Sequence, residues 1–181
     1  MSETFENFIM LKRSLLSLVC IVLASCTSVP ENVSPINNFQ LNRYLGTWYE
    51  IARLDHPFER GLEQISATYT VRDDGGIDVL NKGFDTEKGE WREAKGKAYF
   101  VEDASIGHLK VSFFGPFYAS YVIAELDQDD YQYALVTGPD TDYMWILSRT
   151  PELAPDTLEK LQIKAKQWGF AVDELIFVSH Q

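Results

Sequence analysis

A chain of 181 residues, 45% hydrophobic and 13% aromatic, carries enough apolar surface for one self-supporting core, which excludes an unfolded chain. Its formal net charge of −11, with no basic window, argues against a nucleic-acid partner. Both cysteines, Cys20 and Cys26, precede the region that reads as folded. That region therefore has no internal disulfide and no catalytic thiol, and the wide spacing of His56, His108 and His180 gives no metal-ligand pattern. No cofactor and no metal are expected.

Residues 1–25 read as a secretory signal. Lys12 and Arg13 form a basic start, and Leu15 to Leu23 form an apolar run too short to span a bilayer. The acidic stretch before Met10 is atypical of such signals, so Met10 stands as an alternative initiator. Leu23-Ala24-Ser25-Cys26 resembles a bacterial lipobox, which implies cleavage before Cys26, diacylglycerol on its sulfur and acylation of the new amine. At ~0.8 kcal/mol per buried CH₂, several acyl chains anchor a protein where one does not. Thr27, standing where an inner-membrane retention signal favours Asp, points to the outer membrane. The alternatives are an ordinary signal that happens to end in Cys, or a buried N-terminal helix. Residues 26–38 read as the lipidated Cys and a flexible tether, because "TSVPENVSPINN" is rich in Pro, Ser and Asn.

From Tyr44 the pattern alternates at period two in short bursts separated by turn signals. The bursts are "GTWYEIAR", "ISATYTV", "IDVLNKGF", "WREAKGKAYFV", "HLKVSFFG", "YASYVIAEL", "YQYALVTG" and "DTDYMWILSR". Sequential hairpins without a helical crossover predict an all-β fold, an eight-stranded antiparallel up-and-down β-barrel. Its interior is either filled or holds one small ligand. "APDTLEKLQIKAKQWG" then places Leu158, Leu161, Ala165 and Trp168 on one face between Pro155 and Gly169, which predicts one C-terminal α-helix packed outside. "ELIFVS" reads as a short last strand.

Three strings in this order resemble the lipocalin family: Gly46-Thr47-Trp48-Tyr49, Thr141-Asp142-Tyr143, and Arg149 at the end of the last barrel strand. The resemblance spans residues 39–181 and fits the bacterial branch, which lacks the family's extracellular disulfides. It implies a calyx in which Trp48 and Arg149 stack as a structural plug at the closed end, with "LDHPFERG" as a lid over the open one. An Arg over an indole contributes ~0.5–2 kcal/mol.

With Trp48 and Arg149 fixing the phase, alternation assigns the inner faces. Glu50 and Ala52 share the face of Trp48, while Tyr49, Ile51 and Arg53 point out. Ile65, Ala67, Tyr69 and Val71 form the next inner set, followed by Ile77, Val79 and Asn81. Then come Gly96, Ala98 and Phe100, followed by Leu109, Val111 and Phe113. Ala134 and Val136 precede Tyr143, Trp145 and Leu147. The candidate ligand-binding residues are Ala67, Tyr69, Val79, Asn81, Ala98, Phe100, Val111, Phe113, Ala134, Val136 and Trp145. Small residues beside aromatics leave room for a cavity; the same aromatics filling the core is the alternative, and the resemblance favours the cavity.

Such a cavity suits an acyl chain. Burying ~16 methylenes at ~0.8 kcal/mol each gives roughly 13 kcal/mol gross, and association costs of ~4–15 kcal/mol leave an affinity near micromolar. The expected partners are fatty acids or lysophospholipids, held for storage or transport, with Arg60 and Lys82 as candidate head-group cations at the mouth. The outer membrane is a partner through acylated Cys26. An enzyme is not expected, because Glu50 is the lone inward carboxylate. The remaining reading is a ligand-free interaction module, or a homodimer, meeting a partner through outward Leu80, Tyr99 and Phe114.

Overall fold

The computed structural model describes residues 27–181. The signal segment and Cys26 lie outside the described residues. After a single helical turn, α1 (Leu41–Tyr44), come β1 (Gly46–Arg53), β2 (Leu62–Val71), β3 (Ile77–Asp85) and β4 (Glu90–Phe100). They are followed by β5 (His108–Phe114), β6 (Phe117–Leu126), β7 (Tyr133–Thr137) and β8 (Met144–Ser148). Each strand pairs antiparallel with the next, and β1 pairs with both β8 and β2, which closes the eight into an up-and-down barrel. Helix α2 (Pro155–Gln167) and a two-residue β9 (Ile176–Phe177) lie outside it, β9 pairing with β1.

Closure splits the apolar residues into two cores. The inner one gathers Trp48, Tyr69, Val79, Ala98, Leu109 and Val136. The outer one lies beneath α2, where Leu161 and Ala165 meet Ile51, Val122, Leu135 and Ile146. Leu158 and Trp168 pack at its margin, so the helix buries the face its sequence marks. Pro155 in the first turn and Gly169 at φ +93° set the ends of α2.

Strict alternation fails in β1, and this corrects two assignments. Glu50 pairs with Leu147, but Ala52 pairs with Ile146 and Arg53 with Trp145, so Ile51 is an extra residue, a β-bulge. The bulge turns Ala52 outward into the core under α2 and turns Arg53 inward, where it is buried. Val71, expected inside, is exposed at the end of β2.

One end of the barrel is sealed. The Arg149 guanidinium sits 4.0 Å from the Trp48 ring, and Trp48 is fully buried. Arg149 also donates to the carbonyls of Arg43, Thr47 and Tyr131. Trp48 Nε1 donates to the Tyr44 carbonyl at 2.8 Å, so the turn before β1 is tied to the same plug. Gly46 has φ +92°, and a Cβ there would stand 3.5 Å from Arg149 Nη1; the conformation, more than the space, calls for glycine.

The segment before α1 is laid against the barrel wall. Ser28 Oγ donates to the Pro139 carbonyl in the β7–β8 connection, at the open end. Val33 is buried in the outer core. The Ile36 amide donates to Ile123 O and its carbonyl accepts from Gly107 N, both at 2.9 Å. Phe39 then enters the inner core at the floor and lines the cavity, with its ring 5.3 Å from that of Tyr44 and 6.0 Å from that of Phe100.

Replacing Arg149 with Met should lower the unfolding free energy by about 2–4 kcal/mol, the cation–π share plus the lost hydrogen bonds to carbonyls. Urea denaturation measures it, and an unchanged midpoint would contradict the plug.

Candidate functional site

Above the plug the barrel is hollow. The cavity holds about 670 Å³, within the range of ligand pockets. Of the wall residues expected from sequence, Ala67, Tyr69, Val79, Asn81, Ala98, Val111, Phe113, Val136 and Trp145 line it. Phe100 and Ala134 do not: Phe100 packs on Phe39 below, and Ala134 is fully buried within the inner core. Gly96 explains how so large a side chain as Phe113 fits here. A Cβ on Gly96 would lie 2.9 Å from the Phe113 ring, so the ring lies flat over bare backbone.

The bottom of the cavity is polar at one spot. Tyr121 from β6 shares hydrogen bonds with the hydroxyls of Tyr44, at 2.8 Å, and Tyr69, at 2.7 Å. Burial raises the pKa of all three phenols, which keeps them protonated and bonded to one another. Tyr121 was not among the expected residues.

The upper wall carries charge. Arg53 donates to Glu50 Oε1 at 2.9 Å and to the Glu59 carbonyl at 3.1 Å. Glu59 comes from the β1–β2 connection, residues 54–61, and its Oε2 accepts from Trp145 Nε1 at 3.1 Å. Glu50 is therefore not the lone inward carboxylate; Glu59 stands beside it with Arg53 between. Burial, then the neighbouring Glu59 charge, raises Glu50 well above the usual carboxylate range, and burial raises Glu59. His56, in the same connection, lies among three rings: Phe58 at 5.3 Å, Tyr143 at 5.1 Å and Trp145 at 4.7 Å. Burial, then the Arg53 charge, lowers its pKa to about 4. The connection is thus held over the cavity by an ion pair, an indole hydrogen bond and ring stacking. Two carboxylates flanking one guanidinium bind the lid; they are not a free acid–base pair.

At the rim, Lys82 and Arg92 line the opening. Lys82 Nζ lies 4.7 Å above the Trp91 ring, and Arg92 Nη1 is 3.7 Å from Asp85. Arg60, the other candidate cation, is bound to Asp55 on the outer surface and does not line the cavity. Asn81 and Ser112 line the cavity, and Asn81 Oδ1 and Ser112 Oγ are buried without a hydrogen-bond partner among the described residues. Among the described residues no cluster of His, Cys, Asp or Glu could hold a metal ion.

A barrel sealed at one end, open at the other and apolar between is a calyx for a small ligand. The chain belongs to the lipocalin family: the Lipocalin-like domain profile matches residues 39–180. It is 55% identical over 170 residues to "Outer membrane lipoprotein Blc" of Vibrio cholerae, covering 93% of this chain and 99% of that one. The protein of the same name in Escherichia coli K12 is 51% identical over 158 residues, covering 87% and 89%. Mouse apolipoprotein D is 36% identical over 162 residues, covering 84% and 81%. The insecticyanin structure from the tobacco hornworm Manduca sexta superposes with a TM-score of 0.68 at 23% identity, covering 86% and 88%, and shares the fold.

The lid predicts a pH dependence. The folded pKa of His56 is below its unfolded value of ~6.5, so its contribution is full above that value and is lost as pH falls towards 4. Glu50 and Glu59, with raised folded values, act oppositely: their contribution is present at low pH and lost as pH rises. His56→Phe keeps the stacking and removes only the first effect. The wild-type stability advantage over this variant should be smaller at pH 5 than at pH 7 in urea titrations. A difference independent of pH would contradict the assignment.

Proposed function

We propose that this protein is an outer-membrane lipoprotein, anchored through acylated Cys26, that holds a fatty acid or a lysophospholipid in its barrel for storage or transport. The observation that carries the reading is the cavity itself: a largely apolar, aromatic-walled space of about 670 Å³ whose lining cations, Lys82 and Arg92, stand at its rim. An acyl chain fills such a space, and its anionic head meets Lys82 and Arg92 at the opening. On the way, a small rotation lets Asn81 Oδ1 accept from a glycerol hydroxyl and the Ser112 hydroxyl donate to a carboxyl oxygen. The lipobox at residues 23–26 and the relatives named outer membrane lipoprotein support the anchor.

Hydrophobic burial of ~16 methylenes, reduced by association costs, gives micromolar rather than picomolar affinity, which suits exchange with a membrane. Native mass spectrometry of the purified protein should show one acyl lipid per barrel. Ala67→Trp, which places an indole in the cavity, should weaken binding of a fluorescent fatty acid at least about tenfold, the loss of several buried methylenes. Unchanged binding would remove the cavity from the account. Cys26→Ser should abolish incorporation of labelled palmitate and release the protein from the membrane fraction; retained label would move the acyl site elsewhere.

A further inference from the structure

We propose that the mouth of the barrel docks on the bilayer that holds Cys26, so that the cavity opens directly onto the lipid surface. The inference rests on the lipoprotein reading and adds an orientation to it.

The first observation is where the anchor emerges. Ser28 is bonded to Pro139, and Pro139 lines the cavity opening. From Ser28 to Cys26 is two residues, a reach of at most about 7 Å. The segment that follows runs down the wall by way of Val33 and Ile36 to Phe39 at the floor. The described chain thus begins beside the open end, at the opposite end of the barrel from the plug.

The second observation is what surrounds that opening. The connections at the mouth present Phe58, Phe114 and Phe117, which are 57%, 83% and 76% exposed. Trp91, at the mouth end of β4, is 49% exposed. Phe58 stacks on His56 and Trp91 meets Phe84 edge-on beneath Lys82, yet all four rings stay about half or more open, and aromatic side chains partition to the membrane interface. The floor connections expose acidic residues such as Asp73, Asp103, Asp129 and Asp130 and, among the described residues, no large aromatic ring.

The charge pattern defines the lipid. The mouth sets Asp55, Asp85, Glu87, Glu90, Glu93, Asp140 and Asp142 against Arg60, Lys82, Lys88 and Arg92, on a chain whose net charge is −11. Docking is therefore by insertion of rings into a zwitterionic surface, not by attraction to anionic lipid. A chain could then pass between bilayer and cavity without crossing water.

The test uses the full acylated protein in phosphatidylcholine vesicles. A fluorophore is placed through Glu87→Cys at the mouth or Asp73→Cys at the floor, and nitroxide-labelled phosphatidylcholine is the quencher. The mouth label should be quenched at least about threefold more than the floor label, and high salt should leave this unchanged. Phe114→Ser with Phe117→Ser, both at exposed positions, should reduce mouth quenching severalfold while the protein still sediments with vesicles. Equal quenching at both ends in acylated protein would overturn the orientation alone. A mouth label shielded from lipid but self-quenched between molecules would show that a second copy covers this face, and would also overturn it. An N-terminal peptide whose mass shows no acyl groups would overturn the lipoprotein reading and the orientation with it.

Discussion

One contact decides the shape of this molecule. The guanidinium of Arg149 over the Trp48 indole closes the barrel at the point where its first and last strands meet. Three backbone carbonyls and the α1 turn are bound into the same closure. A barrel of eight strands can fill its interior with side chains, and this one does so only at the floor. Above it, Ala67, Ala98 and Gly96 leave the volume that larger residues would occupy. The seal leaves the cavity open at the opposite end.

The entrance is built differently from the wall. Buried charge is costly unless paired, and the lid pairs it: Arg53 holds Glu50 on its own strand and the Glu59 backbone from the lid. Trp145 does two tasks, walling the cavity and holding the Glu59 carboxylate. The neutral His56 ring stacks between aromatics, a position that charging would disfavour. The β1–β2 connection is thus held by residues, Glu59 and Trp145, that also line the cavity. The segment before α1 starts at this entrance as well, with Ser28 on Pro139, and packs down the wall through Val33, Ile36 and Phe39.

Strand alternation, the hairpin turns and the helix face were legible in the sequence because each buries one face at a regular period. Trp48 and Arg149, taken as the plug, set the phase. What escaped has physical reasons. Ile51 and Ala52 are both apolar, so the bulge between Glu50 and Arg53 leaves no trace in the pattern, and Arg53 was assigned to the wrong side. Glu59 and His56 sit in a connection with no period to read. Tyr121 lies in a strand apolar on both faces, with Val122, Ile123 and Ala124 all buried. In the segment before α1, Pro30, Val33, Ile36 and Phe39 recur every third residue, a spacing that suits an extended threefold chain with one buried edge. Composition emphasised its prolines and asparagines instead.

The central claim is that an acyl chain lies in the barrel with its methyl end towards the plug and its head at the rim. Isotope-filtered nuclear Overhauser spectra of the protein with palmitate labelled at the terminal methyl test it most directly. The account predicts contacts from that methyl to the rings of Tyr69 and Tyr121, and none to Trp91. Contacts confined to Trp91, Phe114 and Phe117, with the inner rings untouched, would contradict it.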